Sequence, residues 1–152
     1  MNIVAYFDGC CEPVNPGGVA SYGAVVFIDN RRVWETSEIF YPKKGKEKET
    51  SNNVAEYSGF ISILEYLNKK KLTKEKIQIY GDSNLVIQQM FGTWRIKKGF
   101  YVPLAERAKK MVKKFPNIQG DWIPREENGI ADELSKAELV KAGVEFRIQP
   151  NK

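Results

Sequence analysis

Short apolar runs separated by turn-forming residues predict most of the strands in this chain. Five runs have the length of β-strands, at residues 3–7, 22–28, 33–40, 77–80 and 118–123. The polar segment 29–32, between the second and third runs, is typical of a hairpin turn. The first three strands are therefore expected to pair antiparallel.

Apolar residues at helical spacing predict four helices. The longest follows residues 50–53, whose side chains can cap a helix, and carries Tyr57, Phe60 and Leu64 among its apolar positions. A second helix is expected to begin near Ser83, a third to include residues 104–115, and the last to cover residues 128–142.

This order of elements predicts an α/β protein with a mixed five-stranded sheet. The first three strands are antiparallel, and the later strands lie parallel through right-handed crossovers that place helices on the faces. Residues 1–143 are expected to form one domain, and residues 144–152 a C-terminal tail that either lies against the body or stays loose. In such folds, ligand sites collect beyond the carboxyl ends of parallel strands.

The composition narrows the range of catalytic mechanisms open to this protein. The 152 residues are 42% hydrophobic and 28% charged, which fits a soluble globular domain, and histidine is absent, which excludes mechanisms that need an imidazole. The cysteines, Cys10 and Cys11, are adjacent, so a disulfide-stapled secreted domain is not expected. We expect both to be loop residues without a redox role.

Nothing in the sequence indicates a leader or a membrane span. No basic region followed by a long apolar stretch opens the chain, so we expect a cytoplasmic protein without a membrane partner. The net charge of +5 suits a polyanionic partner but is explained more simply by solubility.

Four acidic residues fall where this fold would place a site. Asp8 and Asp82 each close an apolar strand, and their carboxylates converge if those two strands are neighbours. Glu56 lies in line with core-facing residues of the longest helix, where a carboxylate is costly unless it is paired or bound to a cation. Asp132 lies near the start of the last helix.

Taken singly, each acid also has a structural explanation. Asp8 can belong to a turn and Asp82 to a helix cap, while Glu56 and Asp132 can be early-turn acids that the helix dipole favours. Together, four carboxylates without histidine or spaced thiolates form an oxygen-only site suited to Mg²⁺ or Mn²⁺, and such a site can hold two ions.

The sequence resembles type 1 ribonuclease H from residue 3 to about residue 142. Four motifs carry the resemblance in order: Tyr6-Phe7-Asp8-Gly9 with Asn15-Pro16-Gly17-Gly18, then Thr50-Ser51-Asn52-Asn53-Val54-Ala55-Glu56-Tyr57, then Gly81-Asp82-Ser83, and finally the segment from Trp122 to Asp132. The inserted basic-protrusion helix is missing, as in compact bacterial and archaeal members. The resemblance implies a ribonuclease H-like fold and an endoribonuclease that cuts the RNA strand of RNA/DNA hybrids, leaving 5′-phosphate and 3′-hydroxyl ends.

The resemblance also implies roles for individual residues. Asp8, Glu56, Asp82 and Asp132 would hold two divalent ions, Mg²⁺ or Mn²⁺, with Asp8 bridging both. Contacts to the hybrid are implied for backbone near Cys11 and for Asn15, Ser51, Asn52, Asn53, Asn84, Trp94, Arg95, Lys97 and Lys98. The asparagines would contact the hybrid in its minor groove. Ser51 would help to bind a phosphate of the DNA strand, and the segment 94–98 would lie along that strand. The alternative for Trp94 is a core anchor flanked by solvated charges.

Arg125 is the candidate for a position where many family members carry a histidine. As an arginine it stays protonated and cannot act as a general base, but it could hold the scissile phosphate or the departing product through charge-assisted hydrogen bonds. Its structural alternative is an ion pair with Glu126 or Glu127.

Two other functions fit the same sequence. One is a non-catalytic module that binds hybrids or double-stranded RNA, and the other is a nuclease of the same superfamily that acts on double-stranded RNA or on DNA. The expected partner is an RNA/DNA hybrid, with double-stranded RNA as a second candidate, and the protein is expected to be a monomer.

Overall fold

A computed structural model describes residues 1–147, and the elements within them follow the predicted order. The strands are β1 (Asn2–Glu12), β2 (Val19–Ile28), β3 (Arg31–Phe40), β4 (Lys76–Gly81) and β5 (Ile118–Trp122). The helices are α1 (Asn52–Lys69), α2 (Asn84–Phe91), α3 (Val102–Val112) and α4 (Gly129–Lys141), with short 3₁₀ turns at Glu47–Glu49 and Arg125–Glu127. Residues 148–152 of the predicted tail lie outside the described residues.

The strands form the predicted mixed sheet, in the order β3-β2-β1-β4-β5. β2 pairs antiparallel with β1 and β3, while β4 pairs parallel with β1 and β5. Asp29 and Asn30 connect β2 to β3 with φ angles of 50° and 68°, as a two-residue hairpin turn of the primed type requires. The predicted fold class is therefore confirmed, with β1 as the central strand.

Helices α1 and α4 cover opposite faces of this sheet. A side chain at Gly23 of β2 would meet Leu134 and Ser135 of α4, whereas the neighbouring Tyr22 approaches Gly59 of α1. Because successive residues of a strand point to opposite faces, the two helices lie on either side of the sheet.

The main core lies between the sheet and α1. Phe7, Phe60, Leu64 and Ile79 have no exposed surface, and the rings of Phe7 and Phe60 meet edge to face with centroids 5.5 Å apart. Burying a side chain of this kind contributes about 1.5–3 kcal/mol. This packing fixes α1 on β1. Among the described helices, none combines the length and hydropathy that a membrane span requires.

The first strand is longer than predicted. β1 pairs with β2 from Ile3 to Glu12, so Asp8 lies inside the strand and not at its end. The expectation that Cys10 and Cys11 are loop residues is wrong for the same reason, since both are buried strand residues with free thiols. The sequence Asp8-Gly9 is typical of a turn, but here the glycine lets α1 pack against a continuous strand.

Candidate active site

Three of the four acids meet beside the carboxyl end of β4. One carboxylate oxygen from each of Asp8, Glu56 and Asp82 lies within 4.8 Å of the other two. Asp8 belongs to β1, Asp82 follows the parallel neighbour β4, and Glu56 reaches in from the first turns of α1. The convergence expected for neighbouring strands is thus present, with Glu56 added from the helix.

Two glycines allow both helices to approach Asp8 closely. A Cβ atom at Gly9 would lie 2.5 Å from the main-chain nitrogen of Glu56, and a Cβ at Gly23 would lie 2.5 Å from that of Ser135. Gly23 is the partner of Asp8 on β2. Because no side chain fits at either position, α1 and α4 touch the sheet at backbone distance on the two sides of Asp8.

The environment of the three acids disfavours their charged forms. Asp8 is 5% exposed and Glu56 is 8% exposed. Burial, followed by the charge of Asp82, raises the pKa of Asp8 well above its usual range. Burial, followed by the charges of Asp8 and Asp82, raises the pKa of Glu56 in the same way, and burial also raises the pKa of Asp82. A cation bound among the three carboxylates would favour their charged forms, and so would oppose the effects of burial and of mutual repulsion.

The unpaired oxygen of Glu56 fits a metal ion. Its Oε2 atom is buried and has no hydrogen-bond partner within residues 1–147, which is costly for a carboxylate unless a cation is bound. The donors are carboxylate oxygens, the ligands that Mg²⁺ and Mn²⁺ prefer. Cys10 lines the same cleft, and burial raises the pKa of its thiol to about 11, which disfavours the thiolate form.

Asp132 lies in the same cleft, outside the group of three, and is held by cations. The Nζ atom of Lys136 is 3.0 Å from its Oδ1 and 3.2 Å from its Oδ2. The Nε atom of Arg125 is 3.7 Å from Oδ1, and the Arg125 side chain is 63% exposed. Arg125 therefore faces Asp132, whereas its predicted structural alternative was an ion pair with Glu126 or Glu127.

Three residues that the sequence analysis did not single out support these acids. The Ser135 hydroxyl donates a hydrogen bond to Oδ2 of Asp8 at 2.8 Å, and the buried Asn128 amide donates to the carbonyl of Phe7 at 2.9 Å. Lys136 is the third. Lys136 follows Asp132 by four residues, so spacing along α4 is the signal that could have found it.

The asparagines expected to contact a hybrid lie around the starts of α1 and α2. Oδ1 of Asn15 accepts a hydrogen bond from the main-chain nitrogen of Asn52 at 2.9 Å, and Asn52 lines the cleft. Asn53 and Asn84 are exposed. The Ser51 hydroxyl accepts a hydrogen bond from a main-chain N–H of α1 and caps this helix. Within residues 1–147, Asn52 is the one residue of this set that lines the cleft.

The basic segment 94–98 lies on the surface and is held from below. Trp94 is 47% exposed, which contradicts its alternative role as a core anchor. Beneath the segment, the buried amide of Gln89 donates to the carbonyl of Arg95 at 3.0 Å and to the Tyr101 hydroxyl at 3.2 Å. The exposed cations of this segment are Arg95, Lys97 and Lys98.

The acids open onto a cleft of about 530 Å³. Cations line it beside the acids, and Trp122, whose indole N–H donates to the carbonyl of Asp82 at 3.2 Å, forms part of the wall. The lining cations are Arg125, Lys136 and Arg147. Such a cleft can bind a divalent cation at its centre and a polyanion around it.

Known proteins share both this sequence pattern and this fold. The family described as Reverse transcriptase-like matches residues 7–138. The "Bifunctional protein Rv2228c" of Mycobacterium tuberculosis is 34% identical over 135 residues, which are 89% of this chain and 35% of that protein. "Ribonuclease HI" of Halobacterium salinarum is 30% identical over 135 residues, 89% of this chain and 63% of that protein.

Among solved structures, LC11-RNase H1 in complex with an RNA/DNA hybrid superimposes with a TM-score of 0.79 at 30% identity. The match covers 92% of this chain and 98% of that one. The chain spans only about a third of the length of the mycobacterial relative. It matches LC11-RNase H1 almost end to end and carries the acidic motifs on the same fold, so the chain belongs to the type 1 ribonuclease H family.

Proposed function

We propose that this protein is an endoribonuclease that hydrolyses the RNA strand of RNA/DNA hybrids. The observation that carries the proposal is the group formed by Asp8, Glu56 and Asp82, with a buried carboxylate oxygen that lacks a partner among the described residues. The group lies in the fold of a family in which a similar structure, LC11-RNase H1, was solved with a hybrid bound. Residues 1–143 would form the catalytic domain.

Two divalent ions, Mg²⁺ or Mn²⁺, would be held by the three acids together with Asp132. Bound there, the ions would supply the activation of an attacking water and the stabilisation of the leaving oxygen, and the products would carry 5′-phosphate and 3′-hydroxyl ends. Ser135 orients the carboxylate of Asp8 by donating a hydrogen bond to it. Lys136 restrains the carboxylate of Asp132 through contacts to both of its oxygens.

The residues around the cleft would bind and orient the hybrid. The exposed cations of segment 94–98 suit a phosphate backbone, while asparagines at the starts of α1 and α2 suit the minor groove, where the 2′-hydroxyl distinguishes RNA from DNA. Arg125 is exposed and makes only a long contact to Asp132, so its guanidinium can turn to a phosphate.

A cleavage assay on matched duplexes tests this proposal. End-labelled RNA/DNA, RNA/RNA and DNA/DNA duplexes are incubated with the protein in Mg²⁺, Mn²⁺ or EDTA. We expect cleavage of the RNA in the hybrid with either ion and none in EDTA, and products whose 5′ phosphate is removed by a phosphatase.

Two variants complete the assay. D82N should lower the rate at least about 100-fold, since it removes one carboxylate charge from the ion site. E106Q, which changes an exposed acid on α3, should leave the rate unchanged. Hybrid binding without cleavage would instead indicate a non-catalytic module, and preferred cleavage of RNA/RNA or DNA/DNA a different nuclease of the superfamily.

A further inference from the structure

The chain returns to the cleft after α4. Phe146 and Arg147 line the cleft that also holds Asp8, Glu56 and Asp132. The proposed function assigns no role to this part of the chain. Its position is notable because it brings an additional cation to the place where a cleaved strand would lie.

Arg147 is fixed at the end of β1 by several hydrogen bonds. Its Nε and its main-chain nitrogen each donate to Oε2 of Glu12 at 3.0 Å. Its Nη2 donates to the main-chain oxygen of Cys11 at 2.8 Å and to Oε1 of Glu12 at 3.3 Å. The Glu12 side chain is only 13% exposed, whereas that of Arg147 is 46% exposed, so the carboxylate is the buried anchor and the guanidinium is the accessible partner.

The anchored guanidinium keeps hydrogen-bonding capacity for a ligand. Arginine has five N–H donors, and within residues 1–147 no acceptor is bound to the Nη1 group of Arg147. A planar guanidinium whose orientation is already fixed loses little freedom when it binds a phosphate.

The charges along the cleft favour the same role. Of the cations that line it within residues 1–147, Arg125 and Lys136 face Asp132, a candidate ion ligand. Arg147 instead pairs with Glu12, which lies four residues beyond Asp8 on β1, about 13 Å along an extended strand. Without Arg147, the carboxylate of Glu12 would face an approaching polyanion and repel it.

We propose that Arg147 is a substrate-binding residue whose guanidinium, oriented by Glu12, contacts a phosphate of the RNA strand in the cleft, at a distance from the cleavage position. This inference rests on the proposed function, because it takes the strand in the cleft to be the RNA. If the segment around Arg147 instead obstructed the cleft, removing the Arg147 side chain would strengthen hybrid binding or speed cleavage.

Hybrid binding is measured by fluorescence anisotropy at several salt concentrations, in a D82N background that should not cleave. R147A should weaken binding about fivefold to tenfold, as expected for one lost charge-assisted contact. It should also reduce the slope of log K against log salt concentration by about one, the signature of a lost phosphate contact, which a purely structural role would not change. R147K should keep part of the slope but not the full affinity.

R107A serves as the matched control, because it removes one positive charge at the exposed Arg107–Glu65 pair, away from the cleft. It should leave affinity and slope near those of the parent protein. With residue 82 intact, R147A should raise KM for the hybrid while kcat changes less than twofold, and circular dichroism should show an unchanged fold.

Unchanged affinity and slope in R147A, or a slope that falls equally in R107A, would overturn the inference. Tighter binding or faster cleavage by R147A would overturn it in favour of an obstructing segment. The binding measurement decides the role of Arg147 even if the unsubstituted protein fails to cleave, whereas the cleavage assay alone decides the proposed activity. A parent protein that does not bind hybrid at all would overturn both.

Discussion

Replacing Asp8 with asparagine should stabilise the ion-free protein at neutral pH while abolishing hydrolysis. Asp8 is buried, and its carboxylate is within 4.8 Å of oxygens from Glu56 and Asp82. At that distance, two ionised carboxylates repel each other by about 3.5 kcal/mol at an effective dielectric constant of about 20. Asparagine has nearly the same shape and can still accept the hydrogen bond from Ser135 through its carbonyl oxygen.

The gain in the free energy of unfolding is smaller than the summed repulsion of Asp8 with Glu56 and with Asp82. The folded protein already avoids part of the repulsion by binding protons, since burial and the neighbouring charges raise the pKa values of Asp8 and Glu56. We therefore expect D8N to raise the free energy of unfolding by about 2 kcal/mol at pH 7.5. For a chain of this length, that corresponds to an increase in Tm of about 4–8 °C.

The sign of the pH dependence follows from the raised pKa values. A carboxyl group whose folded pKa is raised contributes stability below its unfolded pKa, and this contribution is lost as pH rises through the folded value. The advantage of D8N over the unsubstituted protein should therefore be absent near pH 4 and grow toward pH 7.5.

Thermal and urea unfolding in EDTA, followed by circular dichroism from pH 4 to 8, measure this difference. E106Q removes the charge of an exposed acid and should shift Tm by less than about 1 °C. Saturating Mg²⁺ should stabilise the unsubstituted protein more than D8N, because it binds only the intact site tightly. If D8N is no more stable than E106Q at pH 7.5 in EDTA, the carboxylates do not repel one another as the structure implies.

Three further variants or reactions test other parts of the site. R125A should lower kcat about threefold to tenfold in steady-state cleavage, and an unchanged rate would assign Arg125 to the surface pair with Asp132 alone. G9A should lose about 3 kcal/mol or more in urea unfolding, because its Cβ would meet the backbone of Glu56, and a stability near that of the parent would contradict the close contact. Since burial raises the thiol pKa of Cys10 to about 11, this thiol should react with a disulfide reagent far more slowly in native than in unfolded protein at pH 8; equal rates would show that it is accessible.

The central features of the site could be predicted from the sequence because they follow from local patterns. The apolar run that ends at Gly81 places Asp82 at the end of a parallel strand, and the apolar stripe of α1 places Glu56 toward the sheet. The length of β1 could not be predicted in this way. Asp8-Gly9 has the composition of a turn, and only the packing of α1 on Gly9 shows why the strand continues.

Partners that are distant in the chain leave no local pattern. Arg147 and Glu12 are separated by 135 residues, and nothing around either of them indicates that Arg147 contacts β1. The support of Asp8 by Ser135 has the same origin, because the two residues are 127 positions apart and meet only through the docking of α4. By contrast, the contact between Asp132 and Lys136 repeats a helical spacing and could have been found.

The glycines at positions 9 and 23 bear on which ions this protein can use. Gly9 sets the distance between α1 and β1, and Gly23 sets the distance between α4 and β2, through close contacts with the helix backbone. Asp8 and Glu56 are therefore attached to a framework that side-chain rotation cannot widen. Mg²⁺ takes oxygen ligands at about 2.1 Å, while Ca²⁺ needs longer bonds, more ligands and a more pliable site. We therefore expect size discrimination against Ca²⁺ to be a property of the main chain here, and to weaken wherever that framework is loosened.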